Sequence, residues 1–168
     1  MRTAKTILTV IQERGKQKKP IERVYKLLFN RELYLNAYAK LYPNNGAMTK
    51  GVTDETVDGM SIQKIDRMIE ILREEKYQWK PARREYIKKK NGKKRPLGIP
   101  VWGDKVLQEV IRQILEAYYE PQFSEHSHGF RPNRGCHTAI QEIQVWKGTR
   151  WFLSLIHISE PTRPLYIS

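Results

Sequence analysis

The stretch REYIKKKNGKKRPLGI, Arg84–Ile99, decides the fold of its part of the chain. Asn91-Gly92 separates two short runs there, and an Asn-Gly dipeptide in that position is the strongest short-range signal of a β-hairpin. Pro96 and Pro100 restrict how far the second run can pair, because proline has no N–H group to donate to a neighbouring strand. The stretch therefore predicts a two-stranded hairpin whose second strand lies at a sheet edge.

This hairpin is strongly basic. From Lys80 to Arg95 the sequence holds nine Lys or Arg residues and a single acid, Glu85. Successive residues of a strand face opposite sides, so cations are expected on both faces. Such a finger suits a phosphate backbone or a triphosphate. The alternative interpretation is a charged edge that merely resists aggregation.

Helical spacing of apolar residues surrounds the hairpin. The predicted helices are 21–42 with a break near Asn30, a second from the N-cap Ser61 to before Pro81, a third from near Asp104 to before Pro121, and a fourth over about 137–146. Residues 1–19 predict a short helix or a mobile arm. The residues expected in the core include Ile62, Leu115, Trp79, Trp102 and Trp146. The fold class is α+β, mainly helical with a basic β-hairpin.

The charge balance points to a polyanionic partner. The chain has 168 residues and a formal net charge of +13, from 31 Lys and Arg against 18 Asp and Glu. Nucleic acid is the first candidate, because neutralising phosphates releases counterions, and an anionic membrane surface is the alternative. No apolar run is long enough to predict a transmembrane helix. The single cysteine excludes an internal disulfide and suits a cytoplasmic location.

A second loop, Ser124–Gly135, combines an aromatic residue with two arginines and two glycines. Phe130 can stack on a base, and the guanidinium groups of Arg131 and Arg134 can fork onto phosphate. The alternative is a rigid connector in which Phe130 is buried and both arginines pair with nearby acids. The loop by itself does not decide between these interpretations.

Several potential metal ligands lie in or next to this loop. His126, His128, Cys136 and His137 do not have the spacing of a tetrahedral zinc site with paired cysteines. We therefore predict no bound metal, and Cys136 is expected to be a small packing residue near the start of a helix.

Three blocks of the sequence resemble one protein family. Lys89–Pro100 resembles the first conserved finger block of group II intron reverse transcriptases, also called maturases, and Glu120–Ile140 resembles their second block. Leu41–Ser61 resembles the upstream block that these enzymes have and retroviral ones lack. The ordered set is far more specific than any one motif. The resemblance implies the fingers of a right-hand polymerase and the start of its palm.

The resemblance also implies roles for individual residues. Lys89 and Arg95 occupy positions that reach the triphosphate of the incoming dNTP. Loop 44–59 corresponds to a lid over the template. The residues implied to contact template RNA are Asn45, Lys50, Lys88, Lys93, Lys94, Phe130, Arg131 and Arg134. The family commonly has proline where this chain has Lys88, which leaves the strand register before Lys89 open.

The end of the sequence departs from the family. GTRWF, residues 148–152, resembles the lead into a palm strand that ends in the first metal-binding aspartate, yet no aspartate follows Asp104. Residues 153–168 resemble an in-frame translation of a sequencing-library adapter. The alternative is a natural buried strand. The expected organisation is residues 1–60 as N-terminal extension and template-lid block, 61–152 as fingers with the start of the palm, and 153–168 as a non-native tail.

The resemblance implies an RNA-directed DNA polymerase for the parent protein, with intron RNA, a DNA primer and dNTPs as partners and Mg²⁺ as its cofactor. Two-metal nucleotidyl transfer requires carboxylates that hold both ions. The 168-residue polypeptide is therefore expected to bind no Mg²⁺ and to be inactive by itself. The alternative function is a stand-alone RNA-binding module without chemistry.

Overall fold

The structure, a computed structural model, describes residues 3–89 and 92–148. The chain divides into two compact units at the boundary between Phe123 and Ser124. The elements are α1 (Ala4–Lys16), α2 (Val24–Leu27), α3 (Arg31–Leu41), α4 (Ile62–Arg73), β1 (Arg83–Lys88), β2 (Lys94–Ile99), α5 (Trp102–Tyr119) and α6 (Cys136–Val145), with 3₁₀ turns at Val57–Gly59 and Glu120–Gln122. The expected combination of helices with a small antiparallel sheet is confirmed.

The core of the first unit forms around α5, which packs against α1 and α3, while α3 also contacts α4. Its largest fully buried side chains are Leu33, Tyr34, Val106, Leu107, Val110 and Ile114. The contact between α1 and α5 is close at Gly15, where an added Cβ atom would lie 2.1 Å from the carbonyl oxygen of Tyr118. The N-terminal segment is therefore a helix fixed on the core and not a mobile arm.

Side-chain caps begin two of the predicted helices. The Asn30 side chain accepts a hydrogen bond from the Glu32 backbone N–H at 2.9 Å, so the predicted break near Asn30 is the start of α3. The Ser61 hydroxyl accepts from the Lys64 N–H at 3.3 Å and begins α4. Both caps satisfy N–H groups that have no partner within the helix. Local chemistry alone predicted these two boundaries.

Burial differs from the prediction at several positions. Ile62, Leu115, Trp79 and Trp146 are exposed, and so is Cys136, which was expected to be a packing residue. Ile62 and Cys136 are the first residues of α4 and α6, and α6 has no buried residue among those described. Helical spacing gives the direction of an apolar face but not how much of that face a neighbour covers. Trp102 is buried as predicted.

Candidate nucleic-acid interface

The pairing of the two strands fixes which cations share a face. β1 and β2 are antiparallel with Ile87 opposite Arg95, and the Lys89 N–H donates to the Lys93 carbonyl at 2.8 Å. Three residues, 90–92, therefore connect the last pair. Of these, Gly92 is described, and its φ of 78° is the left-handed conformation that three-residue hairpin connections favour at their last position.

This register places Lys89 and Arg95 on one face of the hairpin. Lys89 lies opposite Lys93, and Arg95 lies two residues beyond Lys93 on the same strand, so all three side chains point to the same side. A two-residue connection at Asn91-Gly92 would instead have placed Arg95 opposite Lys88 and on the other face from Lys89. The predicted turn has its glycine in the expected place, while Asn91 lies outside the described residues.

The opposite face carries its own pair of cations. Lys88 and Lys94 are directly opposite each other, and both are exposed. Like charges in that arrangement destabilise a two-stranded sheet. A polyanion bound along the hairpin would relieve the repulsion, which makes this face chemically suited to phosphate.

The loop before α4 is fastened to the base of the hairpin. The Arg83 guanidinium donates from Nε to the Lys50 carbonyl at 3.1 Å. A Cβ atom added to Gly51 would lie 2.8 Å from the Cα atom of Val101 and 2.9 Å from the carbonyl oxygen of Pro100. Only glycine allows the backbones to approach so closely. These contacts place the predicted lid beside the basic strands, and sequence reasoning missed both Arg83 and Gly51 as its anchors.

Lys105 holds the tip of the same loop. Its ammonium group donates to the carbonyl groups of Gly46 and Thr49 at 3.3 and 3.1 Å, and burial lowers the pKa of this amine. Asn45 is exposed in the adjoining turn. The Lys50 ammonium lies 2.9 Å from the Asp54 carboxylate in an exposed ion pair. The two residues implied as template contacts in this loop are thus both on the surface.

Asp104 ties the entrance of the hairpin to α5. Its buried carboxylate accepts from the Tyr77 hydroxyl at 2.5 Å and from the Lys80 backbone N–H at 3.1 Å. Burial, together with the neighbouring Asp104 carboxylate, raises the pKa of Tyr77. The acid therefore fixes the chain just before β1. The sequence placed Asp104 at a helix start and gave no sign of this second role.

In the second unit, the arginines of the loop bond to the loop itself. The Arg131 guanidinium donates to the carbonyl groups of Ser124 and Ser127 at 2.7 and 2.9 Å, and Arg134 donates to the carbonyl of Glu125. These bonds hold the loop in a compact form.

Phe130 lies at the tip of this loop and is fully exposed. Its φ of 57° is in the left-handed region, which is unfavourable for a large side chain. The interpretation of Phe130 as a buried residue is therefore wrong. A strained backbone and a solvated aromatic ring together mark a position that is available to a stacking partner.

Two histidines meet one carboxylate at the base of the loop. Glu142 of α6 contacts His126 Nδ1 through Oε1, and contacts His128 Nε2 through Oε2 at 2.5 Å. Hydrogen bonds from His126 and His128 hold the pKa of Glu142 below its usual value. We call these three residues the histidine clamp. Sequence reasoning considered both histidines as metal ligands but did not identify Glu142.

Comparison with known proteins agrees with the blocks described above. Residues 87–156 match the family model described as reverse transcriptase (RNA-dependent DNA polymerase). The group II intron-encoded protein LtrA of Lactococcus lactis subsp. cremoris is 51% identical over 133 residues, which are 78% of this chain and 22% of that protein. The chain is a relative of group II intron-encoded reverse transcriptases.

Other relatives extend the same similarity. A 91 kDa protein in the cob intron of Schizosaccharomyces pombe is 44% identical over 158 residues, 89% of this chain and 20% of that protein. The nuclear intron maturase 1 of Arabidopsis thaliana mitochondria is 46% identical over 55 residues, 32% of this chain and 8% of that protein. This chain thus spans about a fifth of the length of LtrA and of the cob intron protein.

Reverse transcriptases generally use Mg²⁺. Within residues 3–89 and 92–148, no group of three or more His, Cys, Asp or Glu side chains could hold a metal ion. The described residues of this chain therefore do not fit that cofactor. None of its described helices is both long enough and apolar enough to cross a membrane.

Proposed function

We propose that this chain forms the fingers of an RNA-directed DNA polymerase of the group II intron type, which hold template RNA and the incoming dNTP. The observation that carries the proposal is the shared face of Lys89 and Arg95. Diagonal neighbours on paired strands lie about 7–8 Å apart. Two cations at that spacing can both contact one triphosphate. Phosphoryl transfer from such a group depends largely on positioning and charge neutralisation.

Template RNA takes the remaining cations in this proposal. Lys88 and Lys94 form a charged pair on the other face of the hairpin, the fastened loop presents Lys50 beside the hairpin base, and Asn45 is exposed in the turn that Lys105 holds. A single strand of RNA can follow such a basic surface without any sequence preference. Lys93 adds a cation next to the connection between the strands.

The loop of the second unit contributes stacking and phosphate contacts. Phe130 offers an exposed ring to a base, and stacking of this kind is worth about 1–3 kcal/mol for each base. Arg131 and Arg134 are bonded to loop carbonyl groups, but a guanidinium group carries five N–H donors. The internal bonds therefore orient both groups, and Arg134 keeps further donors for phosphate oxygens.

The two faces of the hairpin supply a matched experiment. The double variants Lys89→Ala/Arg95→Ala and Lys88→Ala/Lys94→Ala each remove two positive charges from the same hairpin. Equilibrium binding of a dNTP should weaken at least tenfold in the first variant and less than threefold in the second, about the effect of losing two charge-assisted contacts. Equal losses in both variants would contradict the assignment of the triphosphate to one face.

A parallel titration with single-stranded RNA separates the enzyme from the alternative module. The Lys88/Lys94 variant should lose RNA affinity, while dNTP binding persists. RNA binding without any measurable dNTP binding by the unmodified chain would favour a stand-alone RNA-binding module. Absence of RNA binding would contradict both functions.

We also propose that the 168-residue polypeptide does not extend a primer by itself, because its sequence has no aspartate after Asp104 to hold catalytic Mg²⁺. A primer annealed to an RNA template, dNTPs and Mg²⁺ should give no product with the purified chain. Measurable extension, abolished by chelating the metal, would contradict this proposal.

A further inference from the structure

Thr138 extends the histidine clamp. The Thr138 hydroxyl accepts a hydrogen bond from the Gly135 N–H at 2.9 Å and lies 2.8 Å from the Gly135 carbonyl oxygen. His128 Nδ1 lies 2.8 Å from the same hydroxyl oxygen. A hydroxyl can donate or accept, so this contact is made whether or not Nδ1 carries hydrogen.

The other nitrogen of His128 faces the carboxylate. Nε2 lies 2.5 Å from Oε2 of Glu142, and an ionised carboxylate can only accept, so Nε2 is the donor. His126 uses the remaining oxygen of Glu142 through Nδ1. The clamp is thus a carboxylate held between two histidine rings.

The clamp joins the loop to its helix. His126 and His128 belong to the loop that bears Phe130, whereas Thr138 and Glu142 lie one turn apart on α6. The His126 ring also packs edge-on against Trp146 at the end of α6, with ring centroids 6.1 Å apart. Phe130, in its strained left-handed conformation, is only two residues from His128. Release of the clamp would free the segment that fixes the Phe130 backbone.

We propose that Glu142 is a positioning residue that, through its contacts with His126 and His128, holds the loop tip so that Phe130 is presented to a base of the template. The inference rests on the proposed function for its partner, RNA, but the clamp itself is a property of the free chain. Among the described residues, the two rings contact Glu142, Thr138 and Trp146, while Arg131 and Arg134 donate to loop carbonyl groups.

The clamp requires an ionised carboxylate. Its bonds therefore weaken as the pH falls through the lowered pKa of Glu142. At about pH 6, above the ordinary pKa of a glutamate, the carboxylate is ionised and the clamp should hold.

The matched variants are Glu142→Gln and Glu125→Gln. Each removes one negative charge from the second unit, but the Glu125 side chain is not part of the clamp, and a glutamine side chain in place of Glu142 cannot accept from both rings with its single amide oxygen. Amide hydrogen exchange of Ser127 and Arg134, both hydrogen-bonded within the loop, reports loop order in the absence of RNA. At pH 6, Glu142→Gln should speed that exchange about tenfold relative to Glu125→Gln. Equal exchange in the two variants at pH 6 would overturn the positioning role, whatever the chain binds.

The effect of the clamp on RNA binding is measured by adding Phe130→Ala to the unmodified chain, to Glu125→Gln and to Glu142→Gln. At pH 6, Phe130→Ala should weaken single-stranded RNA binding about fivefold or more in the unmodified chain and in Glu125→Gln, in line with the loss of one stacked base. In Glu142→Gln the same change should cost less than twofold. An equal loss in all three backgrounds would overturn the inference and leave the proposed function standing. No RNA binding by any variant would contradict the proposed function, and the exchange measurement would still decide whether the clamp positions the loop.

Discussion

The backbone of Gly51 lies against that of Val101, so that a Cβ atom added to Gly51 would be 2.8 Å from the Cα atom of Val101. Gly51 belongs to the loop before α4, and Val101 follows directly after β2. This contact and the bond from Arg83 to the Lys50 carbonyl join the loop to the hairpin. The proposed template lid and the proposed triphosphate site are therefore built as one structure.

Replacement of Gly51 should destabilise the chain. Gly51→Ala would force two backbones apart, at a cost of about 1–3 kcal/mol for overpacking. Gly46→Ala in the same loop is the matched control, since an added Cβ atom there meets nothing within 4 Å. The midpoint of urea denaturation should be lower for Gly51→Ala than for the unmodified chain. For Gly46→Ala the midpoint should be almost unchanged. Equal midpoints for the two variants would show that the close approach does not constrain the loop.

Loss of the Asp104 carboxylate should loosen the entrance of the hairpin. Asp104→Ala leaves the Tyr77 hydroxyl and the Lys80 N–H without their partner, at a cost of about 2–3 kcal/mol in unfolding free energy. Tyr77→Phe removes one of these bonds and keeps the other, so it should cost about 1 kcal/mol. Denaturation gives both values. A Tyr77→Phe effect as large as that of Asp104→Ala would mean that the bond to Lys80 contributes nothing.

Glu109 should make the unfolding free energy of the chain decrease at acidic pH. Burial by itself raises the pKa of Glu109, but hydrogen bonds and charges from Arg112 and Lys40 outweigh burial and lower it below 4.5. A lowered pKa means that the ionised group stabilises the folded chain at higher pH. That contribution is lost as the pH falls from about 4.5 through the folded-state pKa.

The corresponding experiment compares unfolding free energies at pH 7 and pH 3.5. Glu109→Gln should destabilise the chain at pH 7 by about 1–2 kcal/mol, since Arg112 keeps its contact with Glu116. The difference from the unmodified chain should become smaller at pH 3.5. A difference that stays constant with pH would contradict the ion pair as the source of the stability.

The sequence predicted the elements that depend on local chemistry. Asn30 and Ser61 supply caps from their own side chains, and Gly92 adopts the positive φ that ends the hairpin connection. Each signal needs only neighbouring residues. The resemblance added Lys89 and Arg95 to the candidate site, although the order of the residues does not by itself show that these two share a face.

The rest depends on contacts between distant segments. Arg83 reaches the Lys50 carbonyl, and the side chain of Asp104 meets Tyr77 across 27 positions of sequence. No local pattern identifies such partners. The exposure of Trp79 and Trp146 was missed for a similar reason, because the size of an apolar side chain favours burial, but the surrounding elements decide whether a cover exists.

The length of the connection between the two strands decides the hairpin register. A connection of three residues instead of two turns the side chains of one strand to the opposite face relative to the other strand. The observed pairing puts Lys89 with Arg95 and leaves Lys88 with Lys94 on the other side. The sequence signal at Asn91-Gly92 predicts a hairpin but does not distinguish these two registers.

The central claim is that the basic hairpin binds nucleic acid, and the salt dependence of RNA binding tests it most directly. The double variant Lys88→Glu/Lys94→Glu alters the hairpin face proposed for template RNA, and Lys16→Glu/Lys76→Glu changes the charge equally at two exposed lysines outside it. Binding by the unmodified chain should weaken steeply as salt is raised, and the hairpin variant should reduce the slope of log K against log salt by about 1.4, or about 0.7 for each lost phosphate contact on a single strand. The control should keep most of the slope. An affinity that ignores ionic strength, or an equal loss of slope in both variants, would contradict the claim.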